Sequence, residues 1–153
     1  MIANKTETQF NFKTFTPNNV AEFPKEQVVD FLFTHLQEYG DAKTAIAKCL
    51  DYAMSQDNGK GGAVIVAYHE QEMVGAVVLN NTGMQEYIPE QILVYIAVHG
   101  NYRGKGLGKL LMQEAIQNTT GSIALHVEPQ NPARYLYEKL GFTNKYLEYR
   151  LQR

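Results

Sequence analysis

The run ILVYIAV, from Ile92 to Val98, is apolar apart from Tyr95, and a leucine-rich helical pattern, GLGKLLMQEA, follows almost at once. Between them lies HGNYRGK, so that Gly104, Gly106 and Gly108 alternate with basic and apolar residues. A continuously apolar strand must be covered on both faces. A strand that turns directly into an amphipathic helix calls for helices layered on a sheet. This corner therefore constrains the fold more than any other part of the chain: it sets a helix N-terminus at the end of a buried strand.

The first N–H groups of a helix have no partner inside it, and the macrodipole adds roughly half a positive charge there. Glycines let an anion reach the backbone with no Cβ in the way. Arg103, Lys105 and Lys109 add positive charge at the rim. The pattern predicts a diphosphate cradle; a turn that uses glycine only for its backbone is the plainer alternative. Spacing removes two nucleotide-binding motifs. A Walker loop needs four residues between its first glycine and Gly-Lys, then Ser or Thr; here three separate Gly100 from Gly104-Lys105, and Gly106 follows. The dinucleotide fingerprint, counted from Gly104 and Gly106, needs glycine where Lys109 stands.

The rest of the chain reads as β, α, α, β, β, β, α, β, α, β. FNFKTFT, with Phe10, Phe12 and Phe15, predicts a first strand. Pro24 suits the first turn of a helix carrying Val28, Phe31, Leu32, His35, Leu36 and Tyr39, stopped by Gly40. Asp41 is placed to cap a second helix with Ala45, Ile46, Cys49 and Ala53 on one face. AVIVAY and MVGAVVL predict a buried hairpin across HEQE, and NNTGMQEYIP a long loop. The helix after the corner should bury Leu110, Leu111 and Ala115. SIALHV predicts a strand, ARYLYEKLGF a short helix, and KYLEYRL a closing strand. The expected fold is α+β, an α/β sandwich: a mixed, mainly antiparallel sheet of about six to seven strands flanked by about four helices.

Composition adds bounds. The 153 residues suit one domain spanning 1–153. A net charge of -2 announces no nucleic-acid partner. Cys49 is the single cysteine, so no internal disulfide forms; it lies in an apolar stripe and reads as core. The four histidines show no metal-ligand spacing. MIANKTETQFNF has no hydrophobic signal core, and no run is long enough to span a membrane. A cytoplasmic protein without membrane or metal is the expectation.

Arg103-Gly-Lys-Gly106-Leu-Gly108 resembles the R/Q-x-x-G-x-G/A signature of the GNAT superfamily of acyl-CoA-dependent N-acetyltransferases. VHGNYRGKGLG is similar to that family's longer run, with Gly100 where proline is common, and NPARYLYEKLGF looks like its second signature. The resemblance covers the chain from about Ala63 onward. It implies acetyl-CoA as co-substrate, held at its pyrophosphate by Arg103, Gly104, Lys105, Gly106, Leu107, Gly108 and Lys109. The pantetheine arm would lie against Ile96, Ala97 and Val98, where a bulge splays the strand from SIALHV. Asn131 would contact that arm or order its loop, with Ala133 and Arg134 beside it. Tyr137 would face the sulfur as hydrogen-bond donor to the leaving thiolate. Dimers are frequent in the family, so a homodimer is a further expectation.

The resemblance also implies direct attack by an amine. A lysine-like amine is neutral in only about one molecule in 2,500 at pH 7, so desolvation or a base must help. Some family members carry a strand glutamate; here the strand is apolar apart from Tyr95. His99 is the base candidate by position and ordinary pKa. Glu86, Glu90, Glu128, His126 and a water relay are alternatives. Glu86 and Tyr87, in the long loop, are candidates for drawing in and covering a cationic acceptor. The acceptor class stays open between small amines and protein or peptide amines. A non-catalytic acyl-CoA-binding module on the same fold is the alternative function, and another nucleotide ligand in the cradle a third.

Overall fold

The computed structural model describes residues 8–153. Five strands form one sheet in the order β1-β2-β3-β4-β5, namely β1 (Asn11–Phe15), β2 (Gly62–His69), β3 (Glu72–Asn81), β4 (Gln91–Val98) and β5 (Ile123–Leu125). Neighbours are antiparallel except β4 and β5, which run parallel. The helices are α1 (Lys25–Leu36), α2 (Lys43–Ala53), α3 (Leu107–Gln117) and α4 (Ala133–Lys139). A parallel neighbour needs a crossover, and α3 supplies it between β4 and β5.

The sheet separates two apolar clusters. One holds Val28, Leu32, Ile46 and Leu50 of α1 and α2 against Val64, Val66, Ala76 and Val78. The other holds Leu107, Leu111, Met112 and Ala115 of α3 against Ile65, Val77 and Leu79. Residues 63–67 and 74–79, one glycine among them, are therefore all buried, which explains why β2 and β3 read as continuous apolar runs. That glycine, Gly75, matters for the corner. A Cβ there would stand 2.9 Å from Leu111 Cδ1 and 3.2 Å from Leu107 Cδ2, so its absence lets the first turns of α3 lie close on the sheet.

Several expectations need correction. The sheet has five strands among the described residues, not six or seven. β5 covers only part of SIALHV, and KYLEYRL forms no strand: 143–153 has no regular structure. Phe15 points to the α1 side while Phe10 and Phe12 line the α3 side, because residues of opposite parity leave opposite faces of a strand. α1 ends at Leu36, before Gly40, where Gln37 takes φ 54°. Ala45 and Leu110 are exposed, Leu110 because the buried stripe of α3 runs through Leu107, Leu111, Met112 and Ala115. Asp41 does not cap α2, whose N-cap is Ala42 without a side-chain bond.

Candidate active site

Two features of β4 build the site. The first is a bulge. Val78 lies opposite Tyr95 and Leu79 opposite Leu93, leaving Val94 without a partner. One extra residue reverses the parity of everything beyond it. Leu93 belongs to the α3-side cluster, whereas Tyr95 and Ala97 turn into the α1–α2 side. The second feature lies on the other edge. β5 pairs with β4 only at Gln91–Ile123, Ile92–Ala124 and Leu93–Leu125. Pairing stops where the bulge begins, so β4 from Val94 to Val98 has an open edge.

Which backbone groups face that edge follows from alternation. His99 N–H donates to the Val74 carbonyl at 2.8 Å, toward β3. In an antiparallel pair successive residues point to opposite sides. Ala97 therefore also faces β3, and Ile96 and Val98 face the open side.

Beyond Val98 the chain makes a 3-10 turn, Gly100–Tyr102, and then reaches α3. The N–H groups of Gly104, Lys105, Gly106, Leu107, Gly108 and Lys109 have no hydrogen-bond partner among the described residues; the first to close is Leu110, onto Gly106 O at 3.2 Å. Gly104 and Gly106 sit at φ 78° and 79°, a backbone that side-chain-bearing residues avoid, and nothing stands within 4 Å of where their Cβ atoms would be. The space beside these two glycines is thus open. A groove of about 270 Å³ runs here from Val98 past the loop to Leu136 of α4.

The charged side chains divide. Lys105 and Lys109 form no ion pair among the described residues. Arg103 is tied back instead: Nε donates to Val98 O at 3.4 Å and Nη2 to His35 O at 3.2 Å. Its charge is held at the C-terminal end of α1, where the helix dipole favours a cation. Asn131 Oδ1 accepts from Ala133 N–H at 2.9 Å, so Asn131 orders the turn into α4. Arg134 donates to Pro129 O at 3.0 Å and pairs with Glu138, which holds the same loop.

Tyr137 is buried in the α3-side cluster with Phe142 beside it, ring centroids 6.0 Å apart. Burial pushes its phenol up to about 12. It remains a neutral O–H donor throughout the neutral range.

His99 is half-buried, and its Nδ1 accepts the Asn101 N–H at 3.1 Å. In a neutral ring that bond occupies the one acceptor nitrogen, and Nε2 carries the proton. Its ring lies 4.4 Å from that of His35, whose pKa is lowered by burial, His99 and Arg103. Glu90 accepts the Ser122 N–H at 3.0 Å and fills the space beside Gly121; hydrogen bonding, chiefly from Ser122, holds its carboxyl below the ordinary range. Glu86 and Tyr87 are exposed on the long loop, Glu86 at φ 70°.

Sequence reasoning did not find the Tyr95–Asp41 hydrogen bond, 2.6 Å from the phenol oxygen to Oδ2. The lone tyrosine in an apolar strand was the available signal, since a buried phenol needs a partner.

Comparison with known proteins now decides the family. Residues 60–144 match the acetyltransferase (GNAT) domain family. The chain belongs to the GNAT family. This GNAT chain is 36% identical over 84 residues to a 5-NmdU N-acetyltransferase of Pseudomonas phage PaMx11, covering 54% of this chain and 58% of that protein. It is 39% identical over 62 residues to a [ribosomal protein bS18]-alanine N-acetyltransferase of Haemophilus influenzae, covering 38% and 42%. These matches therefore span only about half the length of either relative. A ribosomal-protein-alanine N-acetyltransferase from Brucella melitensis shares the fold, with TM-score 0.62 at 18% identity over 95% of this chain and 100% of that one. Among the described residues of this GNAT chain, no group of three or more His, Cys, Asp or Glu is placed to hold a metal. No described helix is long and apolar enough to cross a membrane.

Proposed function

We propose that this chain is an acetyl-CoA-dependent N-acetyltransferase, moving an acetyl group to a primary amine by direct attack within a ternary complex. One observation carries the reading: the free amides from Gly104 to Lys109 adjoin the open β4 edge through a single groove. A diphosphate needs the first and an extended amide-bearing arm needs the second. The co-substrate, when bound, supplies the activated thioester.

The chain's own groups divide the work. The amides of Gly104 to Lys109 bind the diphosphate, and Lys105 and Lys109 add charge. Ile96 and Val98 present backbone groups to the arm as a neighbouring strand would. Val98 O is shared with Arg103, which stiffens the strand end. Donors on the same edge polarise the thioester carbonyl. Asn131, Ala133 and Arg134 form the loop that sets α4, and α4 sets Tyr137.

Tyr137 donates a hydrogen bond to the developing thiolate. With its phenol at about 12 and an ordinary thiol near 8.5, complete proton transfer is uphill by roughly 5 kcal/mol. The bond therefore stabilises charge, and solvent completes the protonation. His99 caps the turn and helps shape the corner. Its acceptor nitrogen is engaged and Glu90 is tied to Ser122, so the amine's proton leaves through water. Glu86 and Tyr87 receive the cationic acceptor. The phage and Haemophilus relatives, named for 5-NmdU and for an alanine of bS18, support an amine acceptor.

The deciding experiment is a panel of primary amines and peptides incubated with acetyl-CoA, with thiol release measured. Amine-dependent release is expected. Tight CoA binding with no release across the panel would leave a non-catalytic acyl-CoA-binding module. Calorimetric preference for ATP or NAD over CoA would remove both readings.

A further inference from the structure

His35, in the last turn of α1, meets both ends of the turn that leads to the free amides. Its ring lies 4.4 Å from that of His99 and 4.5 Å from that of Phe31. Its carbonyl accepts from Arg103 Nη2 at 3.2 Å. His99 is the N-cap of the Gly100–Tyr102 turn, with Nδ1 accepting the Asn101 N–H at 3.1 Å, and Arg103 is its C-cap. Gly104, the first of the free amides, follows Arg103 directly.

These contacts suit uncharged rings. A protonated imidazole donates from both nitrogens, so a charged His99 has no acceptor left to cap the turn. A proton on either ring also sets a cation against its neighbour and close to the Arg103 guanidinium. The surroundings offer little compensation. The C-terminal dipole of α1 favours a cation, but Arg103 already takes that place. The β2–β3 hairpin brings His69, whose ring lies 5.4 Å from that of Tyr102, and the carboxylates of Glu70 and Glu72. Glu72 already accepts the Tyr102 hydroxyl at 3.1 Å. Burial, His99 and Arg103 hold His35 below its ordinary pKa against the pull of Glu72.

We propose that His35 is a positioning residue for the cofactor corner: with both rings neutral it fixes the Gly100–Tyr102 turn and Arg103, and protonation of the His35–His99 pair frees them, so that binding of the diphosphate weakens in acid. This rests on the cofactor reading of the corner given above. Amides bind an anion well when the backbone that carries them is already ordered, because less freedom is lost on binding. His35 sheds its proton more readily in the folded chain than in the unfolded one. What the neutral pair contributes is therefore complete above about pH 6.5 and is lost as the pH falls below it.

The test is calorimetric titration of the full chain with dephospho-CoA, which keeps the diphosphate and lacks the 3′-phosphate that would itself titrate near pH 6. Affinity should fall about tenfold between roughly pH 7.5 and 5.5. His35→Phe keeps a ring against Phe31 and His99 with no proton to gain. His99→Asn keeps an acceptor for the N–H two residues on. The double variant should cut the acid loss to about threefold or less. Ring nitrogen-15 spectra of the ligand-free chain give a readout independent of the cofactor: the titration of His35 should move toward its ordinary range in His99→Asn. Affinity that holds or tightens in acid overturns the positioning role alone, as does a His35 titration indifferent to His99. Absence of binding even at neutral pH overturns the cofactor reading, and the role with it. If the variants fail to fold, the pH profile of the unaltered chain still decides.

Discussion

The hydroxyl of Tyr95 donates to Asp41 Oδ2 at 2.6 Å, joining the centre of β4 to the chain just before α2. Tyr95 follows the bulged Val94, so its direction is set by that one extra residue. The bulge that opens the edge on one side of β4 therefore also anchors α2 on the other. Tyr95→Phe keeps the buried ring and removes the bond, leaving exposed Asp41 to water. A loss of about 1 kcal/mol is expected, on the scale of one net hydrogen bond. Denaturant unfolding measures it, and Asp41→Asn in a double-mutant cycle isolates the pair.

Gly106→Ala separates cradle from fold. At φ 79° the substitution costs about 1–2 kcal/mol. Its Cβ also enters the open space beside the loop. CoA affinity should fall by about tenfold or more. Gly59→Ala is the control, with φ 84° and nothing within 4 Å of its Cβ position. It should lose similar stability and keep CoA affinity, as calorimetry would show; equal affinity loss in both would remove the cradle.

Tyr137→Phe should lower kcat by about a hundredfold with CoA affinity unchanged. The ring is buried, so the fold survives the loss of a hydroxyl with no intramolecular partner among the described residues. Unchanged turnover would take Tyr137 out of the chemistry.

Alkaline pH should destabilise the protein through two groups, buried Tyr137 and half-buried Cys49. Burial pushes Tyr137 to about 12 and the Cys49 thiol to about 11. Above the ordinary pKa the unfolded chain releases its proton while the folded one retains it, so stability falls as pH rises. The window runs from about pH 9 to 12, and Tyr137 alone contributes a loss of about 3 kcal/mol across it. Phenolate absorbance should show Tyr137 ionising only as the protein unfolds. Cys49 should react slowly with thiol reagents at neutral pH.

With the amine's proton leaving through water, kcat/KM should track the neutral fraction of each acceptor. Acceptors of lower pKa should shift the rising limb of the pH profile by the same amount. A limb that stays fixed for every acceptor would identify a base on the protein.

Most of the local elements are legible in the amino-acid pattern alone. β2, β3 and β4 are apolar runs that only a covered sheet can hold, and the glycines at 104 and 106 serve a left-handed backbone leading into α3. Periodicity and turn chemistry are local, so they are readable without the fold. What alternation cannot reveal is where the count slips. The bulge at Val94 reverses the faces of Tyr95 and Ala97, and it depends on the register with β3. Asp41 had the chemistry of a helix cap, yet Tyr95 claims it from a distant part of the chain. Arg103 looked like a rim charge until α1 brought the His35 carbonyl within reach. Lys145–Leu151 has a strand's pattern, but a strand exists only when another edge accepts its hydrogen bonds, and pairing is a property of the assembled structure.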